Sequence, residues 1–550
     1  MSIVDVNRMN ILDLPDEILL NIIKKLNMID VFYSLVGVNQ RFDRLVLDPL
    51  YTNHLDLIVK ALLNDNFSTE KQVLSRICEE ILPRINNKIK KLTVNQYSME
   101  DILGAVFYPQ LYSLSLINFE SDTLLPYLRG IVFFSIFTCL IKKTFVYIED
   151  DTKLRCLLTN QITHVNIKMI DKKPTVLDEN ESNLFALILS RSKRLTDLTY
   201  SQWFCSENSQ ISMYNLPSTS CVCSTLTKLN IDVNDFDDCL YFLDGRFDSL
   251  STLIIYIQTI SSPLSNIDNT RQLPKLKCLS LITYCRTQFY DSRVVPLLCR
   301  MSNLEELTLY LSIQRTESTH IDGDHLYNEI FIHMPQLKKI IFSINTLVIN
   351  KNIRINLPSN NDIQRSFIER GYQQIASYTH KDSIEEKSTC HIYSLPYQFD
   401  RFYNMNCHFQ GGIFDKVQIV MMTDRNHPFE QEFFQLVSNC FPFLRKLTIS
   451  NYQPQKRKQQ LCPIITFPYL HCLILRSANV DYADQFLNDT KIHLPCLLEL
   501  RITYESLVMI TYNFTNDTTR LTCARLRTLT IYGSYVRPEN FHTYFPLCNM

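Results

Sequence analysis

Glycine is scarce, at 9 residues in a chain of 550. Phosphate-cradling loops and tight turns draw on glycine's freedom at positive φ, so nucleotide-binding folds built on them are disfavoured. An excess of one charge is also missing. Lysine and arginine number 55 against 56 aspartates and glutamates, for a net charge of −1. Such a balance lacks the basic surplus of nucleic-acid and membrane-surface binders, so neither partner is expected. No apolar run stands where a secretory signal would, because Asp5, Arg8, Asp13, Asp16, Glu17, Lys24 and Lys25 break it up. The most apolar stretch, Gly130 to Ile141, has 12 residues, whereas a bilayer span needs ~20. The expectation is buried core in a soluble protein of the cytoplasm and/or nucleus.

Catalytic and metal spacings are missing too. The 18 cysteines include no CxxC pair, no HExxH or GxSxG occurs, and Gly411-Gly412 stands alone. Cys390-His391 are adjacent, and His320, His325 and His333 lie near Asp322 and Asp324 in sequence. Neither arrangement makes a nucleophile–base pair or a ligand set by itself. The sequence therefore names no catalytic residue, no metal and no cofactor, and the cysteines read as free thiols. Apolar material is abundant: 46% hydrophobic residues against 20% charged can build a large core.

Residues 11–47 read as three short helices. Pro15 suits a helix start, and Asp16 and Glu17 place negative charge at its positive end. Leu14, Ile18 and Ile22 form one apolar row and Leu19, Ile23 and Leu26 the next. Asp30 is expected to cap a second helix carrying Val31, Leu35 and Val36, and Val38, Phe42 and Leu45 mark a third. At about 40 residues a lone core is marginal, and a partner usually completes it.

This segment resembles the F-box. Leu14-Pro15-Asp16-Glu17-Ile18-Leu19, Ile22-Ile23, Leu26 through Asp30, and Val38 with Phe42 keep that family's order and spacing. Asn39 departs from it, standing where many members carry cysteine. F-boxes bind the Skp-family adaptor of cullin-based ubiquitin ligases. The resemblance implies adaptor contacts at Leu14, Pro15, Ile18, Leu19 and Ile22, with Val38 and Phe42 in support.

Beyond residue 88 the pattern apolar-x-x-apolar-x-apolar recurs, as in Leu226/Leu229/Ile231, Leu276/Leu279/Leu281 and Leu497/Leu500/Ile502. Its middle residues fall at 92, 114, 165, 198, 229, 253, 279, 307, 340, 417, 447, 473, 500 and 529, so most gaps lie between 22 and 33 residues. The two long gaps fit blurred units near Phe134/Phe137/Cys139 and Cys390/Tyr393/Leu395. Six prolines (109, 274, 335, 442, 468 and 495) stand two residues before the first apolar position, where each is expected to stop a helix and start an extended segment. Strand, loop and helix at this period resemble the leucine-rich repeat. The expected fold is an α/β solenoid: a horseshoe with a concave parallel β-sheet, preceded by a three-helix F-box. Its parts are residues 8–50 (F-box), 51–88 (helical linker), 89–345 (first repeats), 346–388 (polar insertion or loop) and 389–550 (second repeats). Of the family's loop-tying asparagines, Asn234 fits the offset, while Asn451 and Asn479 sit displaced from it.

Residues alternating with the inward apolar positions would face a target. Tyr256, Tyr310, Arg476, Arg501 and Tyr532 are the candidates, since tyrosine and arginine dominate binding hot spots. The resemblance then implies a non-catalytic substrate receptor of a Skp–cullin–F-box ubiquitin ligase, partnered by the adaptor, the cullin complex and an unknown target protein. A repeat scaffold without a ubiquitin role is the alternative.

Overall fold

The computed structural model describes residues 11–59, 67–129, 153–170, 179–202, 222–263, 272–316, 318–349, 358–372, 374–382, 387–456, 463–534 and 537–548. The apolar stretch at 130–141 and the expected unit at Phe134, Phe137 and Cys139 fall outside them. The fold is α/β with large, mostly parallel sheets. It divides into two compact units, Met1–Thr308 with Ile332–Lys339, and Leu309–Phe331 with Ile340–Met550.

The first unit opens with α1 (Asp16–Ile23), α2 (Met28–Leu35) and α3 (Gln40–Val46). Strands follow: β1 (His54–Leu57), β2 (Lys91–Val94), β3 (Ser113–Phe119), β4 (His164–Met169), β5 (Asp197–Gln202), β6 (Lys228–Asp235), β7 (Thr252–Thr259) and β8 (Cys278–Thr287). Each pairs in parallel with the next. Leu55, Leu92, Leu114, Val165, Leu198, Leu229, Leu253 and Leu279 stand in one continuous row. All are buried, so one apolar position per strand builds one core layer. The sheet begins at β1, inside the segment expected to be a helical linker. The rest of that segment does hold a helix from Phe67, through a π turn at Ile77–Ile81, to Ile85.

The second unit holds most of β9 (Glu306–Thr316) and β10 (Lys339–Ile349), then β11 (Ile375–Asp382) and β12 (Lys387–Ser394). Here the parallel rule breaks: β10 pairs antiparallel with β12, and β12 antiparallel with β11. The weak unit expected at Cys390/Tyr393/Leu395 is therefore a hairpin strand. Residues 346–388, read as a polar insertion or loop, carry the end of β10, a helix at Asn360–Glu369 and β11. Ser359 caps that helix and Asp362 reciprocates, a capping box the polar composition concealed.

Parallel pairing resumes through β13 (Arg401–Met405), β14 (Ile419–Thr423), β15 (Lys446–Asn451), β17 (Cys472–Ala478), β19 (Glu499–Thr503) and β20 (Thr528–Tyr532). The short pair β16 (Ile465–Thr466) and β18 (Ile492–His493) lies apart from this sheet. Phe402, Val420, Leu447, Leu473, Leu500 and Leu529 form its buried row, Leu529 less completely. The register puts Val420 where the sequence suggested Val417; Val417 is buried in the turn just before β14.

The six prolines do something more specific than stopping helices. In each case the residue before proline accepts a hydrogen bond from the first apolar residue, as in Tyr108–Leu111, Leu273–Leu276, Met334–Leu337, Phe441–Leu444, Phe467–Leu470 and Leu494–Leu497, at 3.0–3.4 Å. Proline thus occupies the second position of a β-turn, where its fixed φ is preset. Asn451 and Asn479 do tie loops despite their displacement. Their amides donate to the carbonyls of His427 (2.8 Å) and Tyr452 (3.0 Å) in the preceding loops.

Candidate functional site

In the N-terminal unit the local chemistry sets each helix start. Pro15 precedes α1. Asn27, not Asp30, caps α2: its carboxamide oxygen accepts from the N–H of Ile29 at 2.8 Å and of Asp30 at 3.3 Å. Asn39 caps α3 by accepting from Phe42 N–H at 2.9 Å, so the departure from the family pattern has a structural role here. Arg41 ties α3 to the start of α1, donating to Asp16 Oδ1 (2.8 Å) and to the carbonyls of Leu14 and Leu12. Its hydrogen bond, opposed by partial desolvation and aided by the charges of Arg41 and Arg44, holds Asp16 below the usual carboxylate range.

This unit closes its own core. Leu19 (1% exposed), Ile23, Val31, Phe32, Phe42 (8%) and Val46 are buried. Leu19 and Phe42, both read as adaptor contacts, are thus core residues: the α1 face bearing Leu19 turns inward, and the cap at Asn39 directs Phe42 the same way. Leu14 is half-buried. Pro15 is exposed, as are Ile18 (46%), Ile22 (39%) and Val38 (61%). Leu26, placed by the sequence in the row with Leu19 and Ile23, is 55% exposed. Ile18, Ile22 and Leu26 follow one another at four-residue spacing and make an apolar stripe that continues past the end of α1. The i, i+4, i+8 spacing contained that signal.

The five residues read as a target surface do not gather. Tyr256 is half-buried in β7 of the first unit. Tyr310 is buried in the second unit, where its hydroxyl accepts from Tyr403 N–H at 3.0 Å and its ring meets Phe399 and Tyr403 edge-on. Burial holds its phenol well above the ordinary value. Alternation alone placed it outward; the segment at 399–403 covers it.

Arg476, Arg501 and Tyr532 do share a sheet. The Arg476 guanidinium lies 4.6 Å from the Tyr532 ring centroid. Thr503 pairs with Tyr532, and Leu475 with Ile502, so Arg476 reaches across short Thr503 to stack two strands away. Arg501 bonds Glu499 at 2.7 Å. Elsewhere charges also pair along the strands, as Lys228 with Asp197 (3.0 Å) and Lys339 with Glu306 (3.3 Å). Hydrogen bonds from Lys338 and Lys277 hold Glu305 down to about 2.

The sequence-adjacent Cys390 and His391 are core residues. His391 joins Ser343 Oγ (2.9 Å) and Tyr378 OH (3.1 Å), and burial lowers it to about 3. Burial pushes the Cys390 thiol far up. His320 bonds Ser388 at 2.9 Å and is lowered by burial to about 4, while Asp322 caps the helix Gly323–Glu329. A cavity of about 290 Å³, lined by Phe242, Leu243, Phe247, Leu250 and Leu276 among others, holds no histidine or cysteine. Cys407 Sγ lies 3.2 Å from His408 Nδ1. Burial and then Asp424 push this thiol up to about 12, the reverse of an activated nucleophile. No helix among the described residues is long and apolar enough to cross a membrane.

No protein-family model and no curated protein matches the chain. Among solved structures it is similar to the "Crystal structure of Rad7 and Elc1 complex in yeast", with 10% identity, 80% of this chain and 83% of that chain covered, and a TM-score of 0.25. A likeness of that weakness carries no functional argument.

Proposed function

We propose that the chain is the substrate-recognition subunit of a Skp–cullin–F-box ubiquitin ligase. The observation that supports this most is the exposed stripe Ile18–Ile22–Leu26, with Val38, on a helical unit whose own core is already filled. An apolar helix face left over after the core is complete suits a partner's groove. The Skp-family adaptor is the occupant that the F-box resemblance names. The parallel strands are then leucine-rich repeats, and a target protein lies on their outward residues, with the stacked Arg476–Tyr532 pair as an anchor. The chain contributes proximity rather than chemistry, and needs no cofactor: a held target meets the ubiquitin donor at raised effective concentration.

The test is a pull-down of purified Skp-family adaptor with the full chain and with its Ile18→Asp/Ile22→Asp variant. Burying each isoleucine is worth ~1.5–3 kcal/mol, so the variant should bind at least ~100-fold more weakly. Its urea midpoint should barely move, because both side chains are exposed. No binding by the native chain, or equal binding by the variant, would overturn the reading.

A further inference from the structure

The loops after β13 and β14 bring together a set of side chains that the adaptor reading leaves unused. One ligand atom each from Cys407, His408 and Asp424 lies within 4.8 Å of the other two. Cys407 Sγ is 3.2 Å from His408 Nδ1. Zinc bonds of ~2.3 Å to sulfur and ~2.0 Å to nitrogen, at tetrahedral angles, place those atoms ~3.5 Å apart. His427 borders the same space: its Nδ1 is 3.7 Å from Asp424 Oδ1, and its ring centroid lies 5.8 Å from that of His408. Its side chain is about half exposed.

Asp424 is buried, and its carboxylate accepts hydrogen bonds from the N–H groups of His427 (2.9 Å) and Asn426 (3.0 Å) through Oδ1 and of Cys407 (3.3 Å) through Oδ2. Register adds an independent argument. Thr423 pairs with Ser450, so Asp424 occupies in β14's repeat the place Asn451 occupies in the next. Asn451 uses its amide to donate to the preceding loop. A carboxylate has no donor for that purpose. In its repeat the preceding loop presents Cys407 and His408 instead of a bare carbonyl.

We infer that Cys407, His408 and Asp424, with His427 closing the fourth position, bind a zinc-class divalent ion. One thiolate, imidazoles and a single carboxylate favour zinc or cobalt over calcium or magnesium, which prefer all-oxygen shells. With the metal on His408 Nδ1, its Nε2 carries the proton and donates to His380 Nδ1, 3.2 Å away. His380 is thereby a positioning residue, stacked on His408 with centroids 4.1 Å apart. The ion would pin the two loops together. This inference is independent of adaptor binding.

The experiment uses the full reduced chain, stripped with a chelator and titrated with zinc by calorimetry and with cobalt by absorption. We expect one tight ion per chain and a thiolate-to-cobalt charge-transfer band. Cys407→Ser and Asp424→Asn should each weaken binding at least ~10-fold, and His380→Ala less than either. Cys285→Ser, at an exposed thiol outside the cluster, should leave it unchanged. The inference is overturned if the native chain takes up no stoichiometric ion, or if Cys407→Ser and Asp424→Asn bind as the native chain does. Should those variants fail to fold, zinc-edge X-ray absorption on the native chain decides. One sulfur among nitrogen and oxygen neighbours supports the site; none, or more than one, overturns it.

Discussion

The two units handle the same sequence pattern differently. In the first, eight strands from β1 to β8 stack in parallel with one leucine or valine per strand in line. In the second, a hairpin stands between β10 and the later parallel strands, and aromatic rings crowd the junction. Phe402 meets His391, Tyr393, Tyr397, Phe409, Phe414 and Phe441 at centroid distances of 4.9–5.7 Å. A ladder is stabilised by many equivalent small contributions. A junction that breaks the period concentrates them in a few large side chains.

The sharpest way to break that contrast is Phe402→Ala. It should cost about 3–5 kcal/mol by urea unfolding, with the loss confined to the second unit if the units melt separately. Acid is the next lever. His391 and His320 titrate normally near 6.5 but are held neutral by burial, to about 3 and about 4. The unfolded chain therefore takes up their protons first. Stability from these groups is whole above pH 6.5 and drains as pH falls from there towards 3. Each histidine should remove up to about 2 kcal/mol by pH 5, and His391→Asn should flatten the slope measured by unfolding from pH 7.5 to pH 5. Less than the two histidines together, Tyr310→Phe, which leaves Tyr403 N–H without its acceptor, should cost about 1–3 kcal/mol. Smallest is Arg476→Ala, at under ~1 kcal/mol of stability, since its contact with Tyr532 is exposed. A large stability loss there would mean that the pair holds the sheet together rather than standing ready for a partner.

The sequence carried the ladder well, because period and inward direction are local properties. Leu92, Leu229 and Leu500 all lie where the pattern put them. It could not carry partners set by chain segments far apart. Tyr310 alternates outward by pattern, yet is covered from about 90 residues away by Phe399 and Tyr403. Leu19 and Ile18 are neighbours in one motif, and only packing against α3 decides that the first is core and the second surface. The hairpin at 375–394 was hidden because an antiparallel strand has the same apolar content as a parallel one. Cys407-His408 had no metal spacing within the chain, because Asp424 reaches them through strand register rather than sequence proximity.

Arg76 deserves a last consequence. From the helix after β1 its guanidinium donates to the carbonyls of Tyr33 and Val36 at 3.1 Å each and bonds Glu80 at 3.0 Å. Lys88 reaches Leu47 carbonyl from the other side, and Met28 Sδ accepts from Asp56 N–H in β1. The three helices are thus bolted to the first strand rather than tethered to it. On the proposed reading, an adaptor bound to the helices would thereby fix the bearing of the strands next to them. A target lying on those strands would be presented to the ubiquitin donor at a set stand-off distance, and loosening the joint with Arg76→Ala would blur which of its lysines is modified.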